Sequence, residues 1–252
     1  MSLRKIRLVF MKDLRAGIFS PVTWVAVVVF GLLCAFIFQV YFFKLLEMAR
    51  QADRTLDAPY LLARSYSGFV GSLILFVIPL LTMGAYSEEK RHGTHELLFT
   101  LPLTSLEIVV GKFLAGFVMV LLLLFQAMLS MVPLFFVAHP AVMPLACALL
   151  GLVLFSAAIL GIGQALSGLT DNQVVAACST FALMLLLFLF DRYSSGTTLG
   201  VEGVMAYLSP LHHLDDFLNG VLDLSHTVFF LSVLVAGLFA THQAVEAERN
   251  RR

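Results

Sequence analysis

Residues 108–137 read IVVGKFLAGFVMVLLLLFQAMLSMVPLFFV, a continuous apolar run whose only charged side chain is that of Lys112, near its start. A helix that crosses the hydrocarbon core of a bilayer, which is ~30 Å thick, needs about 20 mostly apolar residues. This run exceeds that length, and it would be apolar on nearly every face of a helix. It therefore predicts a segment that is surrounded by lipid rather than by water.

The composition extends this conclusion to the whole chain. Of its 252 residues, 60% are hydrophobic and 13% are charged, and the mean hydropathy is +0.95. A soluble domain usually carries about 25% charged residues, so the excess apolar surface must face lipid. The formal net charge is zero. It gives no long-range attraction to nucleic acid, and we expect no nucleic-acid partner.

Six apolar runs of sufficient length occur along the chain, and they predict an all-α membrane protein in which residues 1–252 form a single transmembrane domain. The predicted spans are about 22–43, 66–86, 108–137, 145–166, 174–190 and 226–243. The three cysteines, Cys34, Cys147 and Cys178, all lie inside these runs. We expect them to pack as small apolar side chains in the core and to form no disulfide framework or metal site.

The orientation follows from the basic residues of the loops, because cytoplasmic loops carry an excess of Lys and Arg. Six spans place both termini on one side. That side holds most of the basic residues: Arg4, Lys5, Arg7, Lys12, Arg15, Lys90, Arg91, Lys112, Arg249, Arg251 and Arg252. The opposite side holds Lys44, Arg50, Arg54, Arg64 and Arg192. We therefore expect a multi-pass protein with both termini in the cytoplasm.

Residues 3–19, before the first span, combine apolar and basic residues at helical spacing. The apolar ones are Leu3, Ile6, Val9, Phe10, Leu14 and Ile18, and the basic ones are Arg4, Arg7, Lys12 and Arg15. The pattern is typical of an amphipathic helix that lies in the membrane interface. An ordinary positively charged flank of the first span would also account for it.

The loop between the second and third predicted spans is longer and more charged than a simple connection requires. Ser87 is followed by two acidic residues, as at the start of a helix. Gly93 then interrupts the pattern before an apolar cluster, and Pro102 ends it. Thr104 and Glu107 match a capping box for the third span. An apolar anchor with a charged rim suits the docking of another protein; a helix lying flat on lipid headgroups is the alternative.

Three stretches together resemble the membrane subunit of ABC-2 type transporters. They are SEEKRHGTHELLFTLPL at 87–103, followed by Gly111-Lys112; LTDNQVVA at 169–176; and LSPLHHLDDFLNGVLDL at 208–224. The resemblance covers essentially the whole chain. It is closest to the subgroup of the gliding-motility permease and the nitrous-oxide-reductase maturation permease. Asp171 departs from the family pattern, which leads us to expect a basic or neutral residue there.

The resemblance implies a transporter with a division of labour. The loop after the second span would contain a coupling helix that sits in a groove of a separate ATP-binding subunit. Its expected contact residues are Glu88, Glu89, Arg91, Gly93, Thr94, Glu96, Leu97, Leu98 and Pro102. Two such ATPases and a second permease, either a copy of this chain or a relative, would complete the transporter in a bacterial cytoplasmic (inner) membrane.

The segment 191–225, before the last span, predicts one or two short helices at the outer leaflet. These would close an outer gate or contact an outer-side partner protein, and structural capping is an equal alternative. The gate residues that we expect are Pro210, His212, Phe217 and Gly220. His212, His213, Asp215 and Asp216 form a candidate metal cluster, but adjacent histidines point apart on a helix, which disfavours a metal.

Motifs for catalysis are absent from the sequence. There is no G-x-x-x-x-G-K-[ST] loop, no H-E-x-x-H and no G-x-S-x-G. We therefore expect no catalytic site, metal or cofactor on this chain, with ATP and Mg²⁺ held by the partner ATPase. The predicted function is a permease that couples ATP hydrolysis to export or to force transmission. The alternative is a membrane anchor or scaffold that docks cytoplasmic proteins without transporting anything.

Overall fold

The computed structural model describes residues 2–51, 58–93, 103–137, 140–193 and 207–250, and within these ranges the regular structure is entirely helical. The helices are α1 (Leu3–Phe19), α2 (Pro21–Gln51), α3 (Ala58–Thr82), α4 (Ser87–Arg91), α5 (Ser105–Ser130), α6 (Val132–Val137), α7 (Val142–Gly168), α8 (Gln173–Tyr193), α9 (Pro210–Leu218) and α10 (Leu224–Asn250).

Six helical segments are long and apolar enough to cross a membrane, which confirms the predicted all-α architecture. They are α2, α3, α5 with its continuation α6, α7, α8 and α10. Several helices extend beyond the predicted spans: α3 begins at Ala58 rather than near 66, and α10 continues to Asn250. The apolar run marks the part of a helix that lies at bilayer depth, whereas the helix itself continues until its capping groups are reached.

The centre of the bundle is α7, which packs against α3, α9 and α10. Its most apolar stretch is 61% buried, whereas that of α8 is 17% buried, so α8 lies at the periphery. The small residues of α7 allow α10 to approach closely: a Cβ added to Gly237 would lie 2.6 Å from the carbonyl carbon of Gly161. Gly161 of α7 thus packs directly against a neighbouring helix of the same chain.

The amphipathic helix expected over residues 3–19 is present as α1, and Ser20 breaks it from α2 with an extended backbone. Ile6 and Val9 are buried against α5, where Gly111 leaves room for Val9. Leu3 and Phe19 remain more than 80% exposed. Because α1 is a separate helix docked on α5, it is more than a charged flank of the first span.

The short helix α9 enters the opposite end of the bundle. Leu214 and Phe217 are fully buried and pack into the spaces left by Gly71 of α3 and Gly151 of α7. After α9 the chain turns at Gly220, whose φ of +77° favours glycine. We refer to this side as the α9 end, and to the side that carries α1, α4 and the last turn of α10 as the terminal end.

The cysteines are divided between the core and the surface. Cys34 and Cys147 are buried, as predicted, but Cys178 is exposed on α8. The prediction of a core position is therefore wrong for Cys178, because an apolar neighbourhood in sequence does not distinguish a face that contacts protein from a face that would contact lipid.

Candidate functional site

The candidate site is built around α4, at the terminal end of the bundle. The first backbone N–H groups of a helix have no partner within that helix. Here the Ser167 hydroxyl of α7 accepts hydrogen bonds from the N–H groups of Tyr86 (3.2 Å) and Ser87 (3.4 Å). The same hydroxyl donates to the Met83 carbonyl at 3.1 Å, and the Ser87 hydroxyl donates to that carbonyl as well. One serine of the central span thus fixes where α4 begins.

A buried lysine connects α4 to two other helices. Lys112 of α5 is only 4% exposed, and its Nζ lies 2.9 Å from Glu89 Oε2 of α4 and 3.1 Å from Asp13 Oδ2 of α1. The same ammonium donates to the Ala85 carbonyl at 2.8 Å and lies 5.1 Å from the centre of the Tyr86 ring. Two carboxylates, a carbonyl and an aromatic face together compensate the loss of water around this cation.

Lys12 of α1 extends this arrangement to the surface. Its Nζ lies 2.5 Å from Glu89 Oε1 and 3.8 Å from Asp13 Oδ1. Partial burial disfavours the ammonium form of Lys12, but the hydrogen bond and charge of Glu89, with Asp13, outweigh it and raise the pKa of Lys12. We call Lys12, Asp13, Glu89 and Lys112 the Lys112 cluster. It contains two cations and two carboxylates, so its formal charges balance.

The next residue of α4, Lys90, binds the opposite side of the bundle. Its Nζ donates to the Gly168 carbonyl at the end of α7 (2.8 Å) and to Glu248 Oε2 of α10 (3.2 Å). Asp171, in the turn between α7 and α8, lies 3.6 Å from the same ammonium, although its own side chain is 77% exposed. Asp171, the residue that we noted as a departure from the family pattern, therefore contacts Lys90, a basic residue of α4.

The other face of α4 is open. Glu88, Arg91 and His92 are exposed, while Ser87 is buried and Glu89 and Lys90 are partly buried. Gly93 ends the helix with a φ of +67°. The structure thus describes four of the predicted coupling residues, Glu88, Glu89, Arg91 and Gly93. The remaining five lie outside the described residues: Thr94, Glu96, Leu97, Leu98 and Pro102.

The chain beyond this segment is also attached to the bundle. Thr104 and Glu107 form the predicted capping box, and Glu107 also accepts a 2.7 Å hydrogen bond from the Ser2 backbone N–H. Arg249 of α10 donates to the Leu103 carbonyl at 3.3 Å. Leu103, which follows the range 94–102, is therefore held at the terminal end.

The predicted gate residues lie together at the α9 end but in different environments. Pro210 is the first residue of α9, Phe217 is fully buried, and Gly220 forms the turn against Pro144. His212 is exposed and its neighbour His213 is 2% exposed, so the two histidines do point apart. Within the ranges described, no group of three or more His, Cys, Asp or Glu residues has the arrangement of a metal site.

Several residues of the site were not singled out from the sequence. Lys112 was predicted only as a basic residue near the start of the third span, Asp13 and Ser167 were given no role, and His226 was assigned only to the last span. The available signal was charge: a lysine inside an apolar run requires partners, and Asp13 is the only acidic residue of an otherwise basic helix. Nothing in the sequence indicates that Ser167 would cap α4.

The fold and this site define a polytopic helical membrane protein with a separate N-terminal helix and a short, anchored helix between the second and third spans. The profile of the ABC-2 family transporter proteins matches residues 7–245. The chain belongs to this family, and it is accordingly a membrane component of a transporter. The match does not support the narrower assignment to the gliding-motility and nitrous-oxide-reductase permeases. A comparison with curated protein sequences found no match.

Proposed function

We propose that this chain is the permease subunit of an ATP-binding-cassette transporter, and that a separate ATP-binding subunit docks on α4 and the segment 94–102. The observation that carries the proposal is the two-sided character of α4. Its inner residues Glu89 and Lys90 are bonded to four helices (α1, α5, α7 and α10) and to the turn after α7, while Glu88 and Arg91 remain exposed. A helix that must receive a push and transmit it needs both an accessible face and a fixed face.

The expected path of the force follows the ion pairs. Movement of α4 would act on α1 and α5 through the Lys112 cluster, and on the ends of α7 and α10 through Lys90. Since α7 is the central helix of the bundle, a displacement at its end would reach the neighbouring spans. A buried ion pair opposes separation because each charge would lose its partner without regaining water. The helices connected in this way would move together.

The terminal end is the side that we assign to the cytoplasm. Of the basic residues, Lys12, Lys90, Lys112 and Arg249 meet there, in agreement with the tendency of cytoplasmic loops to carry Lys and Arg. An ATP-binding subunit must lie on that side, because ATP is cytoplasmic. A working transporter in a bacterial inner membrane would combine two ATP-binding subunits with this chain and a second permease, and it would drive export or transmit force across the membrane.

The test uses the complete chain together with a candidate ATP-binding subunit from the same organism. Both are co-expressed, purified in lipid nanodiscs and assayed for association and for ATP hydrolysis. Replacing Glu96 and Leu97 by Ala, together with Glu88→Ala, should reduce association and stimulated hydrolysis by about tenfold or more, as for the loss of interface anchors. Arg15→Ala serves as the control, because Arg15 is an exposed basic residue of α1 at the same end.

Three outcomes are distinguished by this test. Loss of association in the triple variant, with normal behaviour of Arg15→Ala, supports docking on α4 and the segment 94–102. Unchanged association and hydrolysis in the triple variant would show that the ATPase docks elsewhere. Association that never alters the conformation of the permease when ATP is added would favour the scaffold alternative over a transporter.

A further inference from the structure

A chain of close polar contacts connects α9 to α10 at the α9 end. His213 Nδ1 and His226 Nδ1 are 2.5 Å apart. His213 Nε2 lies 2.8 Å from the Tyr207 carbonyl oxygen, and His226 Nε2 lies 2.6 Å from Asp216 Oδ2. His213 is 2% exposed, and its ring stacks on Phe229 with 3.8 Å between ring centres. Neither ring can turn to a different partner without disrupting this packing.

The partners determine how many protons the two rings hold. The Tyr207 carbonyl and the Asp216 carboxylate can only accept, so both Nε2 atoms must carry hydrogen. The two Nδ1 atoms face each other, and at this distance one must donate to the other. Three hydrogens are therefore distributed over four ring nitrogens, which means one neutral imidazole and one imidazolium.

The His226 ring has the more polar surroundings of the two. That ring faces the Asp216 carboxylate directly, whereas His213 is enclosed by Tyr207, Phe229 and Phe230. Burial lowers the pKa of His213, and the nearby His226 and His212 lower it further, which favours its neutral form.

Every helix packed against α9 except α7 carries charged residues. On α9 itself, His212 and Asp216 act on His213, and Asp223, just before α10, acts on His226. The central helix α7 contains no charged residue. From α3, Arg64 lines a cavity beside Leu218, the last residue of α9. The sequence of α8 ends with Asp191 and Arg192 before Tyr193.

We infer that His213, His226 and Asp216 form a proton-sharing link that holds α9 against α10 and that opens on acidification, when the pair of imidazoles takes up a further proton. A second proton would place two N–H groups against each other at Nδ1. The link is therefore a pH-sensitive connection on the side opposite the proposed ATPase site, and it does not depend on that proposal.

The direction of the acid response follows from His213. The ordinary pKa of a histidine in an unfolded chain is about 6.5, and the pKa of His213 in the folded protein is lower. Between these two pKa values the unfolded chain binds more protons than the folded chain. The stabilisation from neutral His213 is complete above about pH 6.5. This stabilisation is lost as the pH falls through the lowered pKa that His213 has in the folded protein, and α9 should then separate from α10.

The test measures hydrogen exchange of residues 207–218 in the full chain in nanodiscs, between pH 5 and 8, corrected for the intrinsic pH dependence of exchange. In the unmodified protein we expect exchange to accelerate about tenfold on acidification, the effect of losing a charge-assisted hydrogen bond. His226→Gln should exchange rapidly at every pH. His212→Gln removes one of the charges that lower the pKa of His213, so it should keep the acid response with its midpoint at a slightly higher pH. Exchange of α7 in the same samples reports whether each variant remains folded.

A second measurement requires no variant. Nitrogen-15 NMR of histidine-labelled protein at neutral pH should show a coupling between the two Nδ1 atoms through one shared, strongly deshielded proton. Exchange that does not change with pH, or equal exchange in His226→Gln and the unmodified protein, would overturn the inference. So would a tightly held metal ion that is lost in His213→Gln, because a metal rather than a proton would then join the two rings.

Discussion

Lys112 Nζ lies 2.9 Å from Glu89 Oε2, and this ion pair joins the third membrane span to the short helix that follows the second. Asp13 of the N-terminal helix lies 3.1 Å from the same ammonium. Three segments that are distant in sequence therefore share one buried charge. Because that charge cannot return to water without a large movement, the position of α4 depends on α1 and α5.

Removing the buried charge should be much more harmful than removing its exposed neighbour. Lys112→Met leaves Asp13 and Glu89 without their central partner, and we expect a loss of about 3–5 kcal/mol of stability. Lys12→Met is the matched control, because Lys12 is 52% exposed and also contacts Glu89. It should cost less than about 1 kcal/mol. Thermal unfolding in detergent measures both, and equal losses would contradict the central role of Lys112.

Ser167 is expected to determine the order of α4. Ser167→Ala leaves the N–H groups of Tyr86 and Ser87 without their hydrogen-bond acceptor, at a cost of about 1–3 kcal/mol. Hydrogen exchange should increase in residues 86–91. Ser156→Ala is the control, since the Ser156 hydroxyl bonds only to a carbonyl of its own helix, that of Leu152. If both variants leave the exchange of α4 unchanged, Ser167 does not fix the start of this helix.

The docking of α1 on α5 should be sensitive to one methyl group. A Cβ at position 111 would lie 2.8 Å from Val9 Cβ and 3.2 Å from the Ile6 carbonyl oxygen, so Gly111→Ala should displace α1 at a cost of about 1–3 kcal/mol. Gly17→Ala lies in the same interface, but its Cβ meets only the terminal methyl of Met119, which can rotate away. Proteolysis of residues 3–19 should therefore increase for Gly111→Ala and not for Gly17→Ala.

The contact between α7 and α10 predicts that alanine has different effects on stability at Gly237 and at Gly161. In Gly237→Ala the new Cβ lies 2.6 Å from the Gly161 carbonyl carbon, which is backbone and cannot rotate away. We expect a destabilisation of about 1–3 kcal/mol. In Gly161→Ala the nearest atoms, both in Leu234, are at 3.4 Å, an ordinary contact. This variant should be neutral or slightly stabilising, because alanine favours helix by up to about 1 kcal/mol. Thermal unfolding of the two proteins would show whether the asymmetry exists.

Much of the fold follows from local patterns in the sequence. The membrane spans, α1 over residues 3–19 and the capping box at Thr104 and Glu107 were all predicted, because each depends on spacing within one segment. Helix ends were predicted less well. The turn at residues 83–86 and the break at Met131 lie inside otherwise apolar runs, where hydropathy does not change.

The site was only partly predictable because its partners come from different segments. The loop at Ser87 was recognised, but the pairing of Glu89 with Lys112 and of Lys90 with Glu248 depends on how the helices are placed. The same holds for His213 and His226. Their own segment gave the correct expectation that His212 and His213 point apart, while the partner on α10 is set by packing at the α9 end.

Photo-crosslinking in intact membranes tests the proposed docking most directly. A photoreactive amino acid is placed at position 88, on the exposed face of α4, and in a second protein at position 212, exposed at the α9 end. With the ATP-binding subunit co-expressed, we expect position 88 to form a crosslink to that subunit and position 212 to form none. A crosslink from position 212, or accessibility of position 88 to reagents applied outside the cell, would contradict the assignment of α4 as the ATPase docking site.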